Sequence, residues 1–305
     1  MKIVIAGGSG FLGRPLAAAL AEQGHEVVTL TRGDAPRRGH TRSRAVTWTP
    51  NGETGAWAAE LVAARAVVNL AGESIAGKRW SAAQKHRIRD SRVAATRSLA
   101  AAILAAPPMP RVFVSGSAVG YYGPRGDEVV TEETPPGADF LAQVCVQWET
   151  EALRAAGDRT RVVCVRTGVV LENDGGALPQ MMMPFKFGAG GPVGSGRQYL
   201  PWIHRADWTA LVQWAIETAG VTAAINGTAP NPVTNAEFAR ALGKAMRRPA
   251  FMPAPGFALR LALGEMADAL LLSSQKVEPA VLNDKRFQFS YPTLASALKH
   301  LLEHR

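Results

Sequence analysis

Cysteine is scarce in this sequence: 305 residues contain two, Cys145 and Cys164. Two thiols exclude a disulfide framework and point to a reducing compartment. Long apolar runs are missing as well. The most hydrophobic late stretch, LRLALGEMADALLL (259–272), is interrupted by Arg260, Glu265 and Asp268, which excludes a membrane span. The opening MKIVIAGG reads as a strand, not as a signal-peptide h-region with a cleavage site. A soluble, cytoplasmic protein with no membrane partner is the expectation. No metal site is expected. Basic residues gather in RRGHTRSR (37–44) and KHRIRDSR (85–92), with no aromatic stacking array among them and no recognised nucleic-acid module. The net charge of +9 is therefore read as a field for an anionic cofactor or a phosphorylated small molecule, not for nucleic acid. Solvated loop and helix faces are the plain alternative.

What is present is alternation. KIVIAG (2–7) is a strand, followed by a glycine-rich turn and a helix, RPLAAALAEQG (14–24), closed by Gly24. EVVTLTR (26–32), RAVVNLAG (65–72), RVFVSGS (111–117) and RVVCVRTGVVL (161–171) are further strands. The helical stretch 81–105 follows the third of these five strands and DFLAQVCVQWE (139–149) the fourth. Strands separated by helices predict an α/β fold: a doubly wound, Rossmann-type parallel sheet covered on both faces. From about residue 173 the pattern loosens into a Gly-, Pro- and Met-rich insertion. The division expected is a main domain over 1–250, with a substrate lobe mainly in 173–250, and a small helical C-terminal domain over 251–305. TNAEFARALGKAMRR (234–248) predicts a helix with a capping box, Thr234 to Glu237. Stretches 81–105 and 139–156 are helices of the kind through which this fold pairs, so a homodimer is an expectation.

The turn AGGSGFLG (6–13) spaces Gly7, Gly10 and Gly13 between a strand and a helix. Glycines there let the backbone approach a pyrophosphate lying on the free amides of the helix N-terminus. The second strand ends Leu30-Thr31-Arg32, with no carboxylate before Asp34. An acid at that point accepts from a ribose 2′-hydroxyl; Arg32 pairs with a 2′-phosphate instead. One charge-assisted hydrogen bond contributes about 1.5–3 kcal/mol, roughly ten- to a hundredfold in affinity. The cofactor expected is NADP(H).

These motifs resemble those of the extended short-chain dehydrogenase/reductases, in the NAD-dependent epimerase/dehydratase branch. The resemblance rests on AGGSGFLG, VVNLAGESI (67–75), VSGSAVGYYG (114–123) with EETP (132–135), RTGVVL (166–171), GSGRQYLPWIHRADW (194–208) and INGTAPNPVTNAEFARAL (225–242). It is closer still to atypical "epimerase family" proteins that carry a short C-terminal domain of unknown function, matched by residues 263–298, and a cell-division-inhibitor-like label. The resemblance implies that Gly7, Ser9, Gly10, Phe11, Leu12 and Gly13 wrap the pyrophosphate. It places Thr31 and Arg32 at the adenosine end and Leu70, Ala71 and Gly72 beside the adenine-side ribose. It also sets Arg92 at a cofactor-facing helix position usually held by Asn, and Val170 near the nicotinamide carboxamide. Arg197 falls where related enzymes meet a substrate phosphate.

The same family uses a Tyr-x-x-x-Lys pair for proton transfer. Aligned on Glu149, that pair becomes Leu141 and Cys145 here. Leucine has no proton to give, and Cys145 has no neighbour that would make it a thiolate. Ser117 and Tyr122 are the residues expected to carry the chemistry in their place; Tyr121, Glu132, Glu133 and His204 are further acids in reach, and the plain alternative is that one tyrosine packs structurally while His204 holds a loop through hydrogen bonds. Two functions follow. One is an NADP(H)-dependent reductase or epimerase acting on a small carbonyl or sugar-nucleotide-like substrate. The other is a non-catalytic NADPH sensor that docks a partner.

Overall fold

The computed structural model describes residues 1–33, 43–107 and 110–303. Asp34 and most of the basic cluster at 37–44 lie outside the described residues.

Seven strands make the central sheet: β1 Lys2–Ala6, β2 Glu26–Thr31, β3 Ser43–Thr47, β4 Ala64–Asn69, β5 Val112–Ala118, β6 Arg161–Thr167 and β7 Ala223–Gly227. They lie in the order β7-β6-β5-β4-β1-β2-β3, and every neighbouring pair is parallel. This is the Rossmann-type arrangement the alternation predicts. The order reverses between β1 and β4, so a crevice opens there beyond the strands' C-terminal ends. Alternate residues feed two cores. Ile3, Ile5 and Val68 face one side with Leu16, Leu20 and Trp208, while Val4, Val67 and Phe113 face the other with Leu99 and Ile103.

Three helices position the crevice: α1 Gly13–Glu22, α2 Ala82–Ala105 and α3 Phe140–Leu153. Ser81 caps α2 by accepting from Gln84 N, and Asp139 caps α3 by accepting from Ala142 N. Beyond α1, Gly24 takes φ +86° and His25 N reaches back to Leu20 O, a Schellman close. The capping box between Thr234 and Glu237 opens helix Asn235–Met246 as its sequence predicts.

The structure departs from the sequence pattern in three places. RVVCVRTGVVL is two strands, not one. β6 stops at Thr167, and Val169–Leu171 pairs instead with Trp202–His204 in a separate sheet. Gly168 sits at the break, where a Cβ would lie 2.8 Å from Pro201 O. The edge strand β3 has no apolar run to announce it. And the C-terminal residues are woven into the body. Lys276–Val277 pairs with Val129–Val130, and Leu282 is fully buried in the core on one face of the sheet. Helix Leu294–Glu303 packs Leu294, Leu298 and Leu301 into a third apolar cluster with Phe185, Trp202 and Leu242. Asp207 accepts from Ser290 N (2.7 Å) and Tyr291 N (2.9 Å), and the ring of Tyr291 stacks on His204 at 4.0 Å. Among the described residues no helix is long and apolar enough to cross a membrane.

Candidate functional site

The turn after β1 is built to sit close. Gly7 holds φ +79°, and a Cβ on it would come within 2.7 Å of the Leu70 backbone. A Cβ on Gly13 would meet Gly7 O at 2.2 Å, so α1 presses against its own entry loop. Only Gly7 O, at 3.3 Å, would be near a Cβ on Gly10. Here the open side of the loop gives onto a cavity of about 160 Å³.

That cavity brings together Gly7, Ser9 and Gly10 from the loop with Thr31 and Arg32 from the end of β2. Leu70, Ala71 and Gly72, beyond β4, complete the opposite wall. Arg32 is exposed and forms no ion pair among the described residues, while buried Thr31 gives its hydroxyl to Gly33 O at 3.1 Å. Trp48 and Pro50 also line the cavity. Sequence reasoning missed them because they follow the unread strand β3; Trp48 is fixed edge-on against Trp57 at 5.2 Å.

The remaining loop residues partly bury their side chains. Leu12 and Phe11 pack against the core, and Gly175 and Gly176 lie so close to the Phe11 ring that a Cβ on either would come within 2.9 Å of it. Strand alternation turns Val170 into the core and Val169 toward a second cavity, so the residue beside that space is 169.

The second cavity, about 260 Å³, lies beyond β5 and β6. Ser117, Leu141, Cys145, Trp148 and Thr167 line it, together with Gln198, Tyr199 and Leu200. Residues 269–271, Ser273 and Gln275 supply another wall from the C-terminal segment. Leu141 and Cys145 therefore do stand beside Ser117 where the family's proton-transfer pair would be. Burial, then the nearby Glu149 charge, pushes the Cys145 thiol up to about 12, so it stays protonated. Arg92 bridges the two cavities. It lines the second, its guanidinium packs where a Cβ on Gly72 would be 3.1 Å away, and it lies 5.2 Å from the Trp148 ring. Its Nη1 donates to Glu73 O and Ile88 O at 2.9 and 3.0 Å, and burial lowers its pKa from the usual arginine value.

Behind Ser117 lies a buried polar network. Ser117 Oγ donates to Glu149 Oε1 at 2.6 Å, and Arg166 clamps both Glu149 oxygens at 2.9 Å. Burial opposes the Arg166 charge, but the Glu149 hydrogen bonds prevail and hold its pKa above the ordinary value. Tyr122 belongs to this network and not to the cavity. Its side chain is fully buried, its hydroxyl donates to Asn226 Oδ1 (2.6 Å) and accepts from Arg166 Nη1 (3.0 Å), and burial pushes it up to about 12. The proton-relay role expected for Tyr122 finds no geometry here, because the short helical turn after β5 swings the side chain inward. Glu132 is equally committed. Its carboxylate accepts from Asn226 N, Ala280 N and Val281 N, tying the C-terminal segment down, and burial raises its pKa. His204 caps helix Arg205–Glu217 through Nδ1 and contacts His300; burial, then His300, lowers it to about 4. Arg197 is exposed and does not line the cavity.

Comparison with known proteins gives a consistent picture. The chain matches the NAD dependent epimerase/dehydratase family over residues 3–226, and a domain of unknown function, DUF1731, over 254–301. It is 40% identical over 306 residues to epimerase family protein SDR39U1 of Bos taurus, covering 99% of this chain and 100% of that protein. The crystal structure of human epimerase family protein SDR39U1 (isoform2) with NADPH superposes with a TM-score of 0.91 at 38% identity, covering 100% of both chains. A nucleoside-diphosphate sugar epimerase from Corynebacterium glutamicum superposes with a TM-score of 0.81 at 33% identity, over 100% of this chain and 59% of that one.

Proposed function

Because the chain belongs to the NAD dependent epimerase/dehydratase family, we propose that it is an NADP(H)-dependent reductase or epimerase whose proton chemistry does not use a Tyr-x-x-x-Lys pair. The observation that carries this reading is the first cavity. Its glycine loop leaves open space beside Gly10, and Arg32, which forms no ion pair among the described residues, lines it with the loop. The SDR39U1 structure with NADPH supports the choice of cofactor. Gly7, Ser9 and Gly10 would receive the diphosphate, Arg32 the 2′-phosphate, and Arg92 the link between the two cavities. When bound, NADPH supplies two electrons and one hydrogen, as hydride, to a substrate carbon.

The oxygen of a reduced carbonyl then needs one proton. Ser117 does not supply it directly, since its own proton points to Glu149; toward the cavity it presents lone pairs that orient a substrate hydroxyl. Of the four tyrosines, Tyr199 alone lines the cavity among the described residues, with Lys276 Nζ 5.4 Å from its ring centroid. Tyr199 is the proton donor in this reading, recharged from solvent. A second reading, an NADPH sensor without turnover, draws on the apolar pair Leu141 and Cys145 in the same wall. A cytoplasmic location and pairing of two copies through α2 and α3 belong to the proposal; light scattering tests the pairing.

The experiment is fluorescence titration of NADPH and NADH into wild type and Arg32→Ala, followed by NADPH oxidation with carbonyl compounds in wild type and Tyr199→Phe. Saturable NADPH binding with turnover lost in Tyr199→Phe supports the enzyme. Tight binding without turnover on any carbonyl compound supports the sensor. No binding of either cofactor ends both.

A further inference from the structure

We infer that the ligand of the Ser117 cavity is a small, uncharged, largely apolar carbonyl compound and not a nucleoside diphosphate sugar. This deepens the reading above and rests on its assignment of that cavity to the substrate.

Size is the first ground. The cavity measures about 260 Å³, below the roughly 300–1,000 Å³ of pockets that enclose drug-sized ligands, and in the reading above the nicotinamide end of the cofactor would take part of it. Charge is the second. Arg92 is the one cation in the lining among the described residues, and it faces the cofactor side, against Gly72. Val144, Leu200, Leu270 and Leu271 form the opposite walls. A diphosphate laid against leucines would lose its hydration with no cation to replace it.

Hydrogen-bonding capacity is the third ground. Several polar side chains in the wall spend part of their hydrogen-bonding capacity on protein. Gln198 Nε2 donates to Val193 O and Leu271 O, and Gln275 Nε2 donates to Val119 O and Gly123 O. Asn235 Oδ1 accepts from Val193 N, and Asp139 Oδ1 from Ala142 N. A hexose brings a hydroxyl on nearly every carbon, and each one buried without a partner costs about 1–3 kcal/mol. A single carbonyl oxygen is different. The Tyr199 hydroxyl in the wall makes no hydrogen bond among the described residues, while the Trp148 indole nitrogen, also without a partner, is buried away from the space. One acceptor on an apolar body fits that inventory.

The test is calorimetry on the full chain. NADP+ is titrated first, then 2-butanone, 2-pentanone, 2-heptanone and UDP-glucose into the NADP+-loaded protein. Ketone affinity is expected to rise about fourfold per added methylene, with no heat from UDP-glucose at millimolar concentration. Leu271→Asn is expected to weaken 2-heptanone about tenfold and 2-butanone much less. UDP-glucose binding as tightly as any ketone, ketone affinity flat with chain length, or no ketone binding overturns the inference while NADP+ binding persists. Failure of NADP+ itself to bind removes the site reading beneath it.

Discussion

The two cavities, with Arg92 lining the second and packed against Gly72 of the first, are built on opposite plans. At the β1–α1 turn the close-packed glycine loop borders open space, and Arg32 carries a charge that no ion pair among the described residues neutralises. At the end of β5, the charged groups turn inward: Glu149, Arg166, Tyr122 and Asn226 bond one another, and the wall left toward the cavity is mostly aliphatic. One end holds its polar capacity in reserve for a ligand; the other consumes it in its own architecture. The glycine turn of the first cavity follows the shared family pattern, while the second has Leu141 and Cys145 in its wall.

The sharpest way to break this contrast is Glu149→Gln. If Glu149 is architectural, the variant strands a buried guanidinium and costs about 3–5 kcal/mol in urea unfolding; stability within 1 kcal/mol of wild type would show the network to be dispensable. Arg32→Ala tests the other end. NADPH affinity should fall about ten- to a hundredfold with NADH affinity and the melting temperature unchanged; a large loss of stability would make Arg32 structural too.

A pH scan probes the scaffold around the reaction end. Residue His204 holds its pKa near 4 in the folded chain against an ordinary 6.5. Between those values the unfolded chain takes up a proton that the folded chain refuses, so stability should drop as pH falls from 6.5 to about 4. His204→Asn, which retains a capping side chain, should flatten that slope in thermal melts. The smallest effect concerns the thiols. Burial raises both Cys145 and Cys164, so neither should be alkylated by iodoacetamide at pH 8 until the chain unfolds, as mass spectrometry would show.

How much of this was legible in sequence follows the same divide. The glycine turn, Arg32 and the helix ends at Gly24 and Thr234 act within a few residues of themselves, and local pattern reveals such features; the segment 70–72 came from the family resemblance. Leu141 and Cys145 were found by spacing along one helix. Tyr122 was misjudged because spacing gives a position along the chain, not the direction a side chain takes in a tight turn. Tyr199, Gln275 and Leu271 were invisible as wall residues. Gln275 reaches Val119 across 156 positions, and no local period records a contact of that range.

The stitching of residues 276–282 onto the sheet by Glu132 sets an order of events at the ribosome. The glycine turn at residues 7–13 is translated long before residues 269–275, which supply a wall of the second cavity. A nascent chain can therefore present the elements of its coenzyme cradle long before it owns a place to do chemistry, and any premature stop before residue 269 yields a polypeptide whose chamber stands open to water.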